Sequence, residues 1–227
     1  MSRTRFALAS AAIVALLVLS TGSVAADTTP GGDGTFTQNG KTADAYSSDC
    51  SSNGDGTTTC SDVGLSIFAG KMSDSFSGVT HANQVCVSIG SFTYDDETGE
   101  SLADFYESGC QVDLAKGTIQ FGKGLSSATL ATTTISIAQW ICNEQTCEPG
   151  PSRDVTVVGT WTGVGPTFSS KSRSSGDDGT CRYSDSGKGS SREASFGGTI
   201  DGQSLSGDSY ASITDGKFTY RSRCSEV

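Results

Sequence analysis

Imidazole is almost absent from this chain: its 227 residues hold one histidine, His81. Any serine or cysteine mechanism that uses imidazole as its base must therefore pass through His81, in "SGVTHANQ", and no G-x-S-x-G nucleophile turn accompanies it. Positive charge is scarce as well, with 15 lysines and arginines against 25 acids and a formal net charge of −10. Binding to a phosphate backbone needs a net basic surface that releases counterions, so this balance argues against nucleic acid as a partner. From Val63 onward a 3.6-residue apolar period persists almost nowhere, which argues against a helical bundle. The cysteines include no C-x2-C pair, which removes the usual zinc spacing.

What the chain does have begins at its N-terminus. Arg3 and Arg5 precede the apolar run "FALASAAIVALLVL" and the small-residue stretch "STGSVAA", the pattern of a secretory signal peptide over residues 1–26. Cleavage after Ala26 leaves 201 of the 227 residues, with no second apolar run long enough to span a bilayer. The expected location is extracellular or periplasmic. Export changes the meaning of the eight cysteines, because thiols outside the cytoplasm pair and stay paired. Eight cysteines allow 105 connectivities, which sequence alone does not resolve. Local spacing favours Cys50 with Cys60 and Cys142 with Cys147, since each pair closes a short loop. Cys86 with Cys110 and Cys181 with Cys224 would then join strands.

Residues 27–48 are small, polar and glycine-rich, and read as a flexible arm. Residues 49–227 read as a single disulfide-stapled β domain, with a possible internal boundary at residues 149–153, where "EPGPSRD" interrupts the pattern. Short runs rich in Val, Ile, Thr, Phe and Tyr alternate with glycine and aspartate turns, among them "SSATLATTTISIAQWIC", "DVTVVGTWTGVG" and "KFTYRSRC". The expected fold is all-β: an antiparallel β-sandwich, or a barrel-like sheet. Asp201-Gly202 and Asp215-Gly216 are predicted two-residue hairpin turns, "YDDETGE" a longer connection, "KSRSSGDDGT" a mobile loop, and "SLADFYES" the one short helical turn. Trp140 and Trp161 are expected in the core.

The stretch "DCSSNGDGTTTCSD" is ambiguous. Counted from Ser51, it places Asn53, Asp55 and Asp62 at ligand positions of a calcium loop. However, serine stands where the first carboxylate belongs, and "NGDG" between Cys50 and Cys60 is equally good hairpin chemistry. Calcium is thus a candidate ligand, and no other cofactor is indicated. Asp95, Asp96, Glu97 and Glu100 form one acid cluster, and Asp177 and Asp178 another. Glycosidase chemistry would require two such carboxyls facing one another across a cleft. Tyr94, Tyr106, Tyr183 and Tyr210 are candidates for a glycan-stacking face. Lys217, Arg221 and Arg223 share one face of the last strand, suited to an anionic ligand or to offsetting acids elsewhere, while Lys171, Arg173, Arg182, Lys188 and Arg192 read as part of a nearly neutral solvated linker. Residues 27–150 carry four bases against sixteen acids, and residues 151–227 carry nine of each. The resulting expectation is an exported, non-catalytic binding or surface-interaction protein with a glycan or protein partner. An extracellular hydrolase acting on polysaccharide through carboxylates, and a structural envelope component, are the alternatives.

Overall fold

The computed structural model describes residues 33–75, 78–142, 147–177, 179, 181–205 and 208–224, with backbone alone at 79, 103, 141, 142, 147, 149 and 208. Residues 1–26, expected to form a leader, lie outside the described residues, as do residues 27–32. Eleven strands are present among those described: β1 Gly34–Ser52, β2 Thr57–Asp74, β3 Val79–Asp95, β4 Ser101–Gln111, β5 Ile119–Phe121, β6 Ser127–Cys142, β7 Cys147–Gly163, β8 Phe168–Asp177, β9 Cys181–Ile200, β10 Gln203–Ser204 and β11 Asp208–Cys224. All pairing is antiparallel. Strands β11, β1, β2, β3, β4 and β6 pair in that order, β6 pairs with β7, β7 with β9, and β9 returns to β11. Eight strands therefore close on themselves, so that of the two all-β arrangements expected, the sheet takes the barrel-like one.

Closure places alternate residues inside. In β7, Val155, Val157 and Trp161 are fully buried, while Asp154, Thr156, Thr160 and Thr162 face water. The same period puts Leu65 and Ile67 of β2, Val85 and Val87 of β3, Ile135 and Ile137 of β6, and Ile213 of β11 into one core. A register shift in β6 between Leu130 and Thr133 moves the inward set from even to odd positions, which lets Leu130 and Ile135 share that core. The interior is apolar and filled, and the outward residues of β6 and β7 are largely polar. That distribution is the reverse of a membrane-spanning barrel.

Trp161 is the largest fully buried side chain. Its ring meets Phe196 edge-on at a centroid distance of 4.8 Å, and its indole Nε1–H donates across the barrel to the Asp44 carbonyl at 2.9 Å. Gly159 makes room for it: a Cβ there would lie 2.9 Å from the Trp161 ring and 2.8 Å from Phe196. Trp140 differs from expectation. It is only partly buried, and its indole donates to Ser108 Oγ at 2.7 Å between β6 and β4. One mouth of the barrel is capped by Glu107, which is 8% exposed and receives a forked pair of hydrogen bonds from Arg153. The same guanidinium reaches Asp201 at 3.0 Å.

Three disulfides occur among the described residues, Cys50–Cys60, Cys86–Cys110 and Cys181–Cys224. Each joins residues directly opposite one another on neighbouring strands. The backbone also sets Cys142 opposite Cys147, whose side chains lie outside the description. Such bonds fit an oxidising compartment. No helix among the described residues is long and apolar enough to cross a membrane.

Several local expectations are corrected. Residues 34–48, read as part of the arm, belong to β1, whose inward residues Ala43, Ala45 and Ser47 are buried but small, so its alternation carries little hydrophobic signal. "SLADFYES" is part of β4, and "KSRSSGD" lies in β8. β7 continues through residues 149–153, with its prolines beside a register shift against Ala138 and Trp140. Asp201-Gly202 is a hairpin turn with both residues at positive φ, as expected, but Asp215-Gly216 is not a turn. Gly216 lies inside β11, in a row with Gly189 of β9, Gly40 of β1 and Gly70 of β2. A Cβ at Gly40 would sit 2.4 Å from the Ala69 carbonyl oxygen, so the strands cross there too closely for any side chain.

Replacing Trp161 by alanine is expected to lower the unfolding free energy by about 3–5 kcal/mol. Urea denaturation checks this, with the half-buried Trp140→Ala as the milder comparison. A smaller loss at Trp161 than at Trp140 would mean that the barrel interior does not hold the protein together. A second expectation concerns Asp44, whose carboxyl accepts from Ser66 Oγ at 2.7 Å. Burial pushes its pKa up to about 6, with the Ser66 hydroxyl opposing. The folded state then holds this proton more tightly than the unfolded chain, so stability falls as pH rises from about 4 through 6. In Asp44→Asn that decline should disappear, which pH-dependent melting curves of both proteins would reveal.

Candidate functional site

The ambiguous loop is a hairpin tip. Asn53 Nδ2 donates to Thr57 Oγ1 at 2.8 Å and to Thr59 Oγ1 at 3.0 Å, while Asp55 Oδ1 accepts from both the backbone and the hydroxyl of Thr57. The Thr57 hydroxyl holds the Asp55 carboxyl below its usual range. Asp62 sits five residues beyond Thr57 along β2, about 16 Å away, opposite Ser48 and Gly90. There it faces Tyr46, whose phenol is pushed up to about 12 by burial first and then by Asp62. The structure thus leaves Asn53 and Asp55 at the tip and Asp62 on the barrel wall. Among the described residues no group of three or more His, Cys, Asp or Glu side chains converges as a metal site would.

The acid clusters cap turns. Asp95 Oδ1 accepts from the backbone N–H of Thr98 and Glu97 and from the Thr98 hydroxyl, contacts that lower its pKa, with the Thr98 backbone bond leading. Asp177 is lowered first by the Gly179 backbone N–H and then by Arg182. A glycosidase acid needs the opposite shift, upward. Asp178 lies outside the described residues. His81 approaches Asp113 at 3.6 Å on the outer face of β3, beside Met72 of β2. Among the tyrosines, Tyr210 lies opposite Tyr46, Tyr106 is exposed on β4, and Tyr94 stacks with Phe92 at 6.2 Å. Tyr183 is at the distant start of β9, so the four do not share one platform.

A different cluster emerges where the sheet leaves the barrel. The final part of β9, Ala194–Ile200, pairs with β7, but its first part pairs with β8, and β11, β1 and β2 extend beside it. On this extension Lys171 of β8 lies opposite Lys188 of β9, which lies opposite Lys217 of β11. Asn39 of β1 and Lys71 of β2 continue the row. All five side chains are exposed. Arg173 and Arg221 stand on the same face, interleaved with Ser184, Ser186 and Thr219, around a shallow depression of about 680 Å³. Within β8, β9 and β11, register puts Asp177 and Asp215 on this face, and Asp185 also borders the depression; Asp177 is engaged by Arg182 at 2.9 Å, and Asp185 accepts from the Ser174 hydroxyl. Lys171, Lys188 and Lys217 form no ion pair among the described residues.

Sequence reasoning found Lys217, Arg221 and Arg223 from the alternation of β11, but missed Lys171 and Lys188. The available signal was basic residues and serines two apart in "FSSKSRSS" and "RYSDSGKGSSR". It was obscured because neither segment carries an apolar face. Polar strands of this kind persist through pairing and hydroxyl contacts, such as Ser169 with Ser190 at 3.2 Å and the short bond from Ser174 to Asp185.

Like charges directly opposite on neighbouring strands repel. Lys188→Gln, which removes the middle lysine, is therefore expected to raise the melting temperature at low ionic strength, and the gain should shrink as salt screens the row. A variant that melts below the parent at low salt would show that the three ammonium groups do not oppose one another.

No family model matches the chain, and no curated protein matches it. Among solved structures, one from Nitrosomonas europaea, provisionally named AttH, is similar at 12% identity with a TM-score of 0.22. The match covers 83% of this chain and 52% of that one, so the chain spans about half the length of the solved structure it matches.

Proposed function

We propose that this is an exported, non-catalytic binding protein that takes an anionic ligand on the face carrying Lys171, Lys188 and Lys217. The observation that carries this reading is the row itself: three lysines abreast, exposed and without acidic partners among the described residues, on a chain of net charge −10. Such a row is unfavourable for folding, and a local rule broken without compensation is characteristic of a functional surface. Lysine heads on flexible stems suit point contacts to carboxylate, sulfate or phosphate groups. Export is supported by the leader pattern and by disulfides suited to an oxidising compartment. The barrel interior is filled, and the lysine row lies beyond it on the continuation of the inward face, where the side chains are open to solvent and no internal cavity is needed.

An acidic protein has no bulk reason to adhere to an anionic resin, so retention on a sulfonate cation exchanger at pH 7 isolates the local patch. The parent should be retained at low salt, and the double variant Lys188→Gln/Lys217→Gln should flow through. Passage of the parent unretained would sink the reading.

A further inference from the structure

Building on that anion-binding reading, we propose that the ligand is a linear acidic polysaccharide with one carboxylate per sugar, lying across the strands along the row Lys171, Lys188, Lys217, Asn39 and Lys71. Neighbouring strands are about 4.8 Å apart, so these five positions span about 19 Å. The rise per sugar along a linear polyuronate is of the same order as the strand spacing. Each sugar could then meet one strand position, and a compact anion would leave most of the row unused.

The adjoining row supplies the rest of the recognition chemistry. Arg173, Ser186, Thr219, Thr37 and Ser73 are in register across the same five strands, one step along on the same face. Hydroxyls at four of these positions can both donate to and accept from sugar hydroxyls, and Arg173 adds a cation beside Lys171. Single-stranded nucleic acid, the other extended polyanion, is held by aromatic stacking as well as charge. In this part of the sheet the aromatic residues Phe36, Phe218, Tyr220 and Tyr183 occupy the opposite face by register, and Phe36 and Phe218 are in ring contact there at 6.3 Å. The lysine face offers charge and hydroxyls without a stacking platform.

The test is calorimetric titration of the disulfide-bonded protein with galacturonate and its oligomers from two to seven sugars, and with an oligodeoxynucleotide of matching charge. Affinity should rise at least tenfold from monomer to pentamer and level off beyond it, with the oligonucleotide at least tenfold weaker than the pentamer. Lys71→Gln should weaken the pentamer and leave the trimer unchanged, because Lys71 lies beyond Asn39, whereas Lys188→Gln should weaken both. Equal affinity for monomer and pentamer would overturn the polysaccharide and leave the anion site standing. Oligonucleotide binding as tight as the pentamer's would also overturn it. Failure of every anion to bind, together with failure to adhere to sulfonate resin, would remove the anion-binding reading itself.

Discussion

The structure depends on the divided pairing of β9. Its last seven residues, Ala194–Ile200, bond to β7, Arg182–Ser191 bond to β8 along the same edge, and Cys181–Glu193 bond along the other edge to β11, which completes the ring. A strand cannot offer the same edge to two neighbours at one position, so the sheet must splay where the partner changes. The apolar core lies on one side of that change and the cationic extension on the other. The close-approaching row of Gly189, Gly216, Gly40 and Gly70 marks the transition.

Register is the second constraint, because a slip of one residue would send every side chain to the opposite face. Such a slip in β9 would turn Phe196 out of the core and carry Lys188 away from Lys171 and Lys217. Directly opposed cysteines join β1 to β2, β3 to β4 and β9 to β11, and each pins a ladder that the polar composition of these strands specifies weakly. The Cys181–Cys224 bond is the most consequential of these for the site, since it joins the two strands carrying Lys188 and Lys217. At the other end, Arg153 links Glu107 of β4 to Asp201 of the β9–β10 turn, tying the barrel mouth together through charge.

Acids and bases have different roles in this molecule. Asp55, Asp95 and Asp177 are consumed by the turns they cap, each accepting backbone or hydroxyl hydrogens that hold its carboxyl ionised. The lysines of the extension are left to solvent. A formal count of charge along the chain therefore misrepresents the surface: residues 151–227 are neutral by count, yet pairing gathers Lys171, Lys188 and Lys217 from three separate segments onto one face.

The all-β class was legible in the sequence, because β-branched residues alternating in segments such as "DVTVVGTWTG" can bury one face only as a strand, and Asp201-Gly202 supplies the positive φ of a hairpin. Local spacing likewise pointed to Cys50 with Cys60. Beyond such local physics, the sequence carried little about the site. The strand nature of Gly34–Ser48 was hidden because its buried positions are alanine and serine, and that of Phe168–Asp177 because it buries almost nothing. Whether the sheet closes, which strand β9 pairs with, and which lysines stand abreast are matters of contacts between residues far apart in the chain. Those contacts are decided by the filling of one interior around Trp161, which no window of neighbouring residues contains.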